Sequence, residues 1–262
     1  MTLVSIASPK GGVGKTTLTA NLAYALQRMG HQAVVIDFDS QNALRLHFGM
    51  ALGDSRGYVA DALGQRSWQE KVIEMPSGVG LLAYGTASVS QRQSFEAALR
   101  SDDAFLTKRL RGLLNVPGCV VLADLPPGPS AALDALGRLN ALNIAVLLAD
   151  SASLSLLPEI ESGRFYAGHN DQRIFYVVNQ VDLRSRLNRE ATEFFQARLG
   201  ASLLGAVHRD EAVPEANASQ SSVFQYAADS AVAYDIQDVA SNISRLLPVP
   251  TMSSAMKKHS LV

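Results

Sequence analysis

The sequence predicts an α/β fold, a doubly wound and mostly parallel sheet flanked by helices. Three observations carry that expectation. Apolar runs of strand length recur along the chain, and most are uninterrupted rather than alternating with polar residues, as in strands buried on both faces. Helix-like stretches fall between them, and such a series builds a sheet covered by helices. The first run leads through the glycine-rich stretch K-G-G-V-G-K-T-T, residues 10–17, into the first helical stretch.

In chain order, the strand-like runs are 3–7, 33–37, 80–84, 120–124, 145–149, 174–179 and 203–207. The helical stretches are 15–29, 95–114, 130–139, 186–199 and 230–247. Residues 50–100 have the least pattern and are expected to hold short helices. No repeat and no long linker divides the chain, so residues 1–247 read as one domain. Residues 248–262, PVPTMSSAMKKHSLV, read as a loose tail.

The chain has 262 residues, of which 47% are apolar and 18% charged, enough to bury a sizeable core. Its formal net charge of −1 excludes a global attraction to nucleic acid or anionic lipid, so such contacts need a local patch. The single cysteine, Cys119, lies in the apolar run GCVVLAD and reads as a buried thiol. One cysteine excludes a disulfide framework and a cysteine-rich metal site. No secretory signal and no run of 18 uncharged apolar residues is present, so the expected location is cytoplasmic.

Residues 10–17 carry the chemistry. A loop that follows a strand and opens a helix can turn its backbone N–H groups around phosphate oxygens, and Gly11, Gly12 and Gly14 permit that turn, with Val13 between them. Counting back from Lys15, the first glycine of G-x-x-x-x-G-K-[ST] is replaced by Pro9. The later positions are kept: Lys15 reaches β and γ phosphates, the Thr16 hydroxyl ligates Mg²⁺, and Thr17 bonds the α-phosphate. Lys10, at the loop mouth, cannot easily curl back to the same nucleotide and is placed to reach one held by a facing subunit.

Two strand ends supply carboxylates. VVIDFDSQN places Asp37 and Asp39 two apart, on one side of an extended segment. VVLADLPPGPS ends an apolar run in Asp124, which would act on Mg²⁺ through water, while Gly128 keeps its N–H free to sense a γ-phosphate. YVVNQVD places Asn179 where its amide can pair with a base edge. Asn179 and Asp182 also echo the guanine-reading N-K-x-D, with Gln180 in place of the lysine, which weakens that reading and leaves both ATP and GTP open.

KGGVGKTT resembles the deviant phosphate loop of the MinD/ParA family of P-loop ATPases. The resemblance implies ATP and Mg²⁺ as cofactors and a sandwich dimer in which Lys10 contacts the partner's ATP. Lys10, Lys15 and Asp39 would carry the chemistry, and Thr16, Asp37, Asp39 and Asp124 would serve the metal or its water shell. Asp37 is the one of these that would also support the loop. Ser40 departs from the family's D-x-D-P-Q. Residues 207–216, VHRDEAVPEA, resemble the segment that wraps the base, which puts His208, Arg209 and Asp210 at the cofactor. His208 stands where the family usually has proline and reads either as a pH-sensitive group or as a structural one.

Branches of the family differ outside these motifs. The iron–sulfur branch needs cysteines and the tyrosine-kinase branch a tyrosine-rich tail. The MinD branch ends in a basic membrane helix, whereas 230–247 carries two Asp and one Arg and reads as a packing helix. Arg184, Arg186, Arg189 and Arg198 form either a DNA patch or a solvated face laced by Asp182, Glu190 and Glu193, the latter being favoured. NALRLHFGM, residues 42–50, and VHRDEAVPEA resemble the BcsQ family of cellulose biosynthesis proteins. That resemblance implies a slow ATP-dependent dimer switch that assembles or positions a cellulose secretion complex. Its partners would be a second copy, a small accessory subunit and inner-membrane synthase machinery, with only indirect membrane contact. A ParA-type DNA partition ATPase, a MinD-like spatial regulator and a scaffold with negligible hydrolysis are the alternatives.

Overall fold

A computed structural model describes residues 2–139, 141–166 and 173–247. The expected tail at 248–262 lies outside the described residues. Eight strands form one sheet: β1 Thr2–Ala7, β2 Gln32–Asp37, β3 Ile73–Glu74, β4 Gly80–Leu82, β5 Cys119–Asp124, β6 Leu142–Leu148, β7 Ile174–Val181 and β8 Leu203–His208. Their spatial order is β3-β4-β2-β5-β1-β6-β7-β8, and every pairing is parallel except β3 with β4. The predicted doubly wound, mostly parallel sheet is thus the observed one.

The helices are α1 Lys15–Arg28, α2 Val89–Ser101, α3 Phe105–Leu114, α4 Ala131–Gly137, α5 Ser151–Glu161, α6 Arg186–Leu199, α7 Ala212–Ala218, α8 Val223–Tyr226 and α9 Ala231–Leu246. They cover both faces. Successive strand side chains point to opposite faces, so each apolar run serves two layers. Leu3 and Ala7 of β1 join Val34, Ile36, Val121 and Ala145 in one core layer, with Phe95, Leu110 and Phe195 from the helices. Val4 and Ile6 join Val35, Leu122 and Ile144 in the other, under α1 and α9. In α9 the buried residues Val232, Ala233, Ile236, Val239, Ala240 and Ile243 repeat at helical spacing. Fully burying a leucine such as Leu22 or Leu26 in α1 stabilises the fold by about 1.5–3 kcal/mol each, so a charged residue at either would detach α1 from the sheet.

Four expectations are corrected. The stretch 95–114 is two helices, because the backbone extends at Asp102 (φ −117°, ψ 99°), whose carboxylate accepts from Ala104 N at 2.9 Å. The strand expected at 80–84 stops at Leu82, since the Ala83 and Tyr84 carbonyls accept from Tyr58 N and Val59 N instead. The strand expected at 145–149 begins at Leu142, paired with Val4 of β1. Helix α5 and the two-residue β3 were not expected at all. Within 50–100 the short helices are 3-10 turns at Val59–Asp61 and Trp68–Lys71.

Candidate functional site

Strand β1 sits inside the sheet between β5 and β6, and its C-terminal end opens into the glycine loop at the N-terminus of α1. The loop turns because Gly12 (φ 72°) and Gly14 (φ 85°) adopt left-handed conformations that side chains rarely take. At Gly14 space also forbids a side chain: an added Cβ would lie 2.5 Å from Asn179 Nδ2. Gly11 and Gly12 are exposed, while Val13 is buried beneath them as an apolar anchor. Asn179 Nδ2 donates to the Val13 carbonyl at 2.8 Å, and Gln180 Nε2 donates to the Gly12 carbonyl at 3.3 Å. The end of β7 therefore braces the loop from behind, with Gln180 itself at φ 56°.

Lys15 is only 7% exposed. Burial lowers its pKa, and the nearby carboxylates of Asp124 and Asp39 act in the opposite sense. Thr16 sits beside Asp124. Thr17 Oγ1 accepts from Asn217 Nδ2 of α7 at 3.5 Å. Asp124 and Asp37 are register partners on β5 and β2, and both are fully buried. Burial pushes the Asp124 carboxyl up to about 7, and Asp37 is raised as well, first by burial and then by Asp124.

The two carboxylates do different work. Asp37 accepts from Asp39 N at 2.9 Å and Leu44 N at 3.3 Å, one bond on each oxygen, and so holds the turn after β2. Asp124 accepts from Thr19 Oγ1 at 3.4 Å on one oxygen, while its buried Oδ2 has no partner. A carboxyl left with a buried bare oxygen fits a hydrated cation, which would hold it ionised beside the Thr16 hydroxyl. Among the described residues no three His, Cys, Asp or Glu side chains gather as a ligand set, so a divalent ion here would draw most ligands from water and phosphate, as Mg²⁺ does.

Two expectations about side chains change. The strand ends at Asp37, so Asp39 lies half-buried on the following turn rather than beside Asp37 on a strand face; its own carboxylate accepts from Gln41 N at 2.9 Å. Gly128 N is not free: it donates to the Ser8 carbonyl at 3.0 Å and ties the proline loop after β5 to the loop after β1. Lys10, expected to reach a facing subunit, has a partner within its own chain. Its ammonium pairs with Asp150 at the start of α5, a residue with no linear motif to announce it.

A cavity of about 360 Å³ opens beside the loop, between Gly14, Thr17 and Asn179 on one side and residues 207–217 and α9 on the other. His208, Arg209 and Asp210 line it. Leu18, Val207, Val213, Pro214, Val232 and Ile236 make its walls apolar. Asp182 is absent from this lining, and its carboxylate is gripped by Arg184 at 2.9 Å through two bonds. The other arginines of that region are engaged too: Arg186 with Glu190, Arg198 with Glu161, and Arg189 with the Leu183 carbonyl.

A buried lysine behind a glycine loop, at the end of an interior parallel strand, makes this a P-loop protein of the doubly wound class. Within that class the sequence pattern of the cellulose biosynthesis protein BcsQ family matches residues 1–243, and the chain belongs to that family. It is 26% identical to the cellulose biosynthesis protein BcsQ of Salmonella typhimurium over 92% of this chain and 93% of that protein. It is 30% identical to the cell division protein PomZ of Myxococcus xanthus, covering 89% of this chain and 75% of that one. Among solved structures it resembles the septum site-determining protein MinD of Pyrococcus horikoshii, complexed with Mg-ADP (TM-score 0.75, 22% identity, 96% of this chain and 99% of that one). No helix among the described residues is long and apolar enough to cross a membrane.

Proposed function

We propose that this chain binds ATP with Mg²⁺, hydrolyses it slowly, and uses the cycle as a dimerisation switch that assembles or positions a bacterial cellulose synthesis and secretion complex. The observation that carries the reading is the buried Lys15 ammonium, held behind the glycine loop between Asp39 and Asp124. A buried lysine without a fixed counter-ion contact is a site prepared for an anion. Loop amides and the α1 N-terminus cradle the phosphates, and Lys15 neutralises their charge. Thr16 and Asp124 hold the ion, which would offset charge on the β and γ phosphates. Asp39 orients the attacking water, and Lys10, once released from Asp150, reaches the nucleotide of a second copy. In phosphoryl transfer such positioning and charge neutralisation supply most of the catalysis.

Adenine is favoured over guanine because Asp182, the carboxylate that N-K-x-D would aim at guanine, is already held by Arg184. A DNA role is disfavoured because Arg184, Arg186, Arg189 and Arg198 are all engaged within the chain. The partners are then a second copy, a small accessory subunit and the inner-membrane synthase, with the chain cytoplasmic and peripheral to that membrane. Family membership supports this setting.

The test is a set of three variants. Lys15→Ala should abolish binding of ATP, measured by calorimetry. Asp39→Ala should hold an ATP-bound dimer, measured by sedimentation in saturating ATP and Mg²⁺. Lys10→Ala should bind ATP yet lose the dimer or its hydrolysis. An Asp39→Ala chain that stays monomeric sinks the switch. Capture of the Asp39→Ala form from its own cell, with ATP present, should recover a glycan synthase; recovery of DNA with a centromere-binding protein would replace this reading with partition.

A further inference from the structure

Asp235, on the first turns of α9, reaches back to the end of β8 and meets His208 twice. Its Oδ2 accepts from the His208 backbone N at 2.9 Å and lies 2.8 Å from the His208 Nδ1. An ionised carboxylate only accepts, so the imidazole must place a proton on Nδ1 to make the second bond. In the neutral ring the other nitrogen, Nε2, is then an acceptor. His208 lines the cavity beside the glycine loop, so Nε2 is the ring nitrogen left for whatever enters it.

The other polar groups of that cavity are mixed: Arg209 donates, and several neighbours can accept. Asn179 and Gln180 each spend one of two amide N–H groups on the loop carbonyls of Val13 and Gly12, and their side-chain oxygens can accept. Asp210 and Glu211 add carboxylates. Apolar walls with an acceptor at His208 Nε2 suit a flat ring whose edge donates at that point. A 6-amino purine donates there; a 6-oxo purine presents an acceptor and meets repulsion.

We propose that the His208–Asp235 pair is a base-selecting device: Asp235 fixes the tautomer, and His208 Nε2 accepts a hydrogen bond from the exocyclic amine of a 6-amino purine nucleotide. This rests on the nucleotide reading above and deepens it. Asp235 is the positioning residue. Because one oxygen takes both bonds, an amide oxygen can replace it: Asp235→Asn keeps the tautomer, and Asp235→Ala does not.

The experiment titrates the full chain, with Mg²⁺, against ATP, GTP and purine riboside triphosphate, which lacks any 6-substituent. Wild type should prefer ATP over GTP by about tenfold or more. His208→Ala should cut that ratio by roughly tenfold, weakening ATP more than purine riboside triphosphate. Asp235→Ala should behave like His208→Ala, and Asp235→Asn like wild type. An ATP-to-GTP ratio that survives His208→Ala overturns the role of His208, as does a wild type that binds all three alike; the nucleotide site stands in either case. Equal behaviour of Asp235→Ala and Asp235→Asn overturns the tautomer argument. A wild type that binds none of the three overturns the nucleotide reading and this one with it.

Discussion

Lys10 and Asp150 form an ion pair that joins the mouth of the glycine loop to the start of α5. The same carboxylate caps α5 by accepting from Ser153 N at 2.8 Å. Burial pushes the Asp150 carboxyl up, but Lys10 and Ser153 together hold it below its ordinary range. In the proposed dimer, Lys10 would have to leave this partner to serve the other subunit. Asp150→Asn keeps the cap, since asparagine caps as well as aspartate, and removes the charge. Partly exposed pairs contribute about 0.2–1 kcal/mol, so the ATP-bound dimer should tighten by up to about fivefold for each pair released. Sedimentation equilibrium with ATP and Mg²⁺ checks this, and a weakened dimer would mean that Asp150 faces the partner directly.

Gly14→Ala should abolish nucleotide binding without unfolding the chain. The new methyl would strain a φ of 85° and press on Asn179 Nδ2. The loop must then shift, and Asn179 must release the Val13 carbonyl. The combined cost is about 1–3 kcal/mol, read as a lowered denaturation midpoint alongside a flat ATP titration.

His47 makes stability pH-dependent. It lies buried in the 3-10 turn Leu44–Phe48, and burial lowers its pKa from 6.5 to about 4, opposed by the Asn217 side chain beside it. Below pH 6.5 the unfolded chain takes up a proton that the folded chain refuses until about pH 4. Stability from this group is therefore full above pH 6.5 and lost as pH falls to about 4, a loss on the order of 3 kcal/mol. Urea melts of wild type and His47→Gln at pH 7.5 and 4.5 measure it; the wild type should lose more.

Trp68→Ala should cost about 3–5 kcal/mol. Trp68 is fully buried, and its ring lies 4.5 Å from Tyr58 and 6.0 Å from Phe105, centroid to centroid. As the chain's single tryptophan it also reports its own environment. Trp68→Phe should lose much less in the same melts.

The parts legible in the sequence are those that depend on neighbours along the chain. Helix Arg186–Leu199 coincides with the predicted stretch, and β1, β5 and α1 follow closely. The loop 10–17 was readable because its glycines, lysine and threonines act at fixed spacing. Residues 50–100 were opaque because aromatic packing around Trp68, Tyr58 and Phe95 orders them, and packing has no period. Helix α5 carries Pro158 in its interior, which breaks the local signal, and is secured by its cap at Asp150. Asp150, Asn217 and Asp235 reach Lys10, Thr17 and His208 only through the tertiary fold. No linear pattern links such pairs.

The central placement of β1 bears on how the chain is made. Both of its neighbours come late: Thr2 lies opposite Val120 of β5, and Val4 opposite Leu142 of β6. At about 5–20 residues per second, a ribosome would take roughly 6–25 s to deliver β5 after β1. Through that interval an apolar strand and its glycine loop have no ladder to join, and closure across so long a stretch is intrinsically slow. Nascent chains halted before Asp124 should therefore hold β1 open to chaperones and proteases, and protection should arrive only once β5 has emerged.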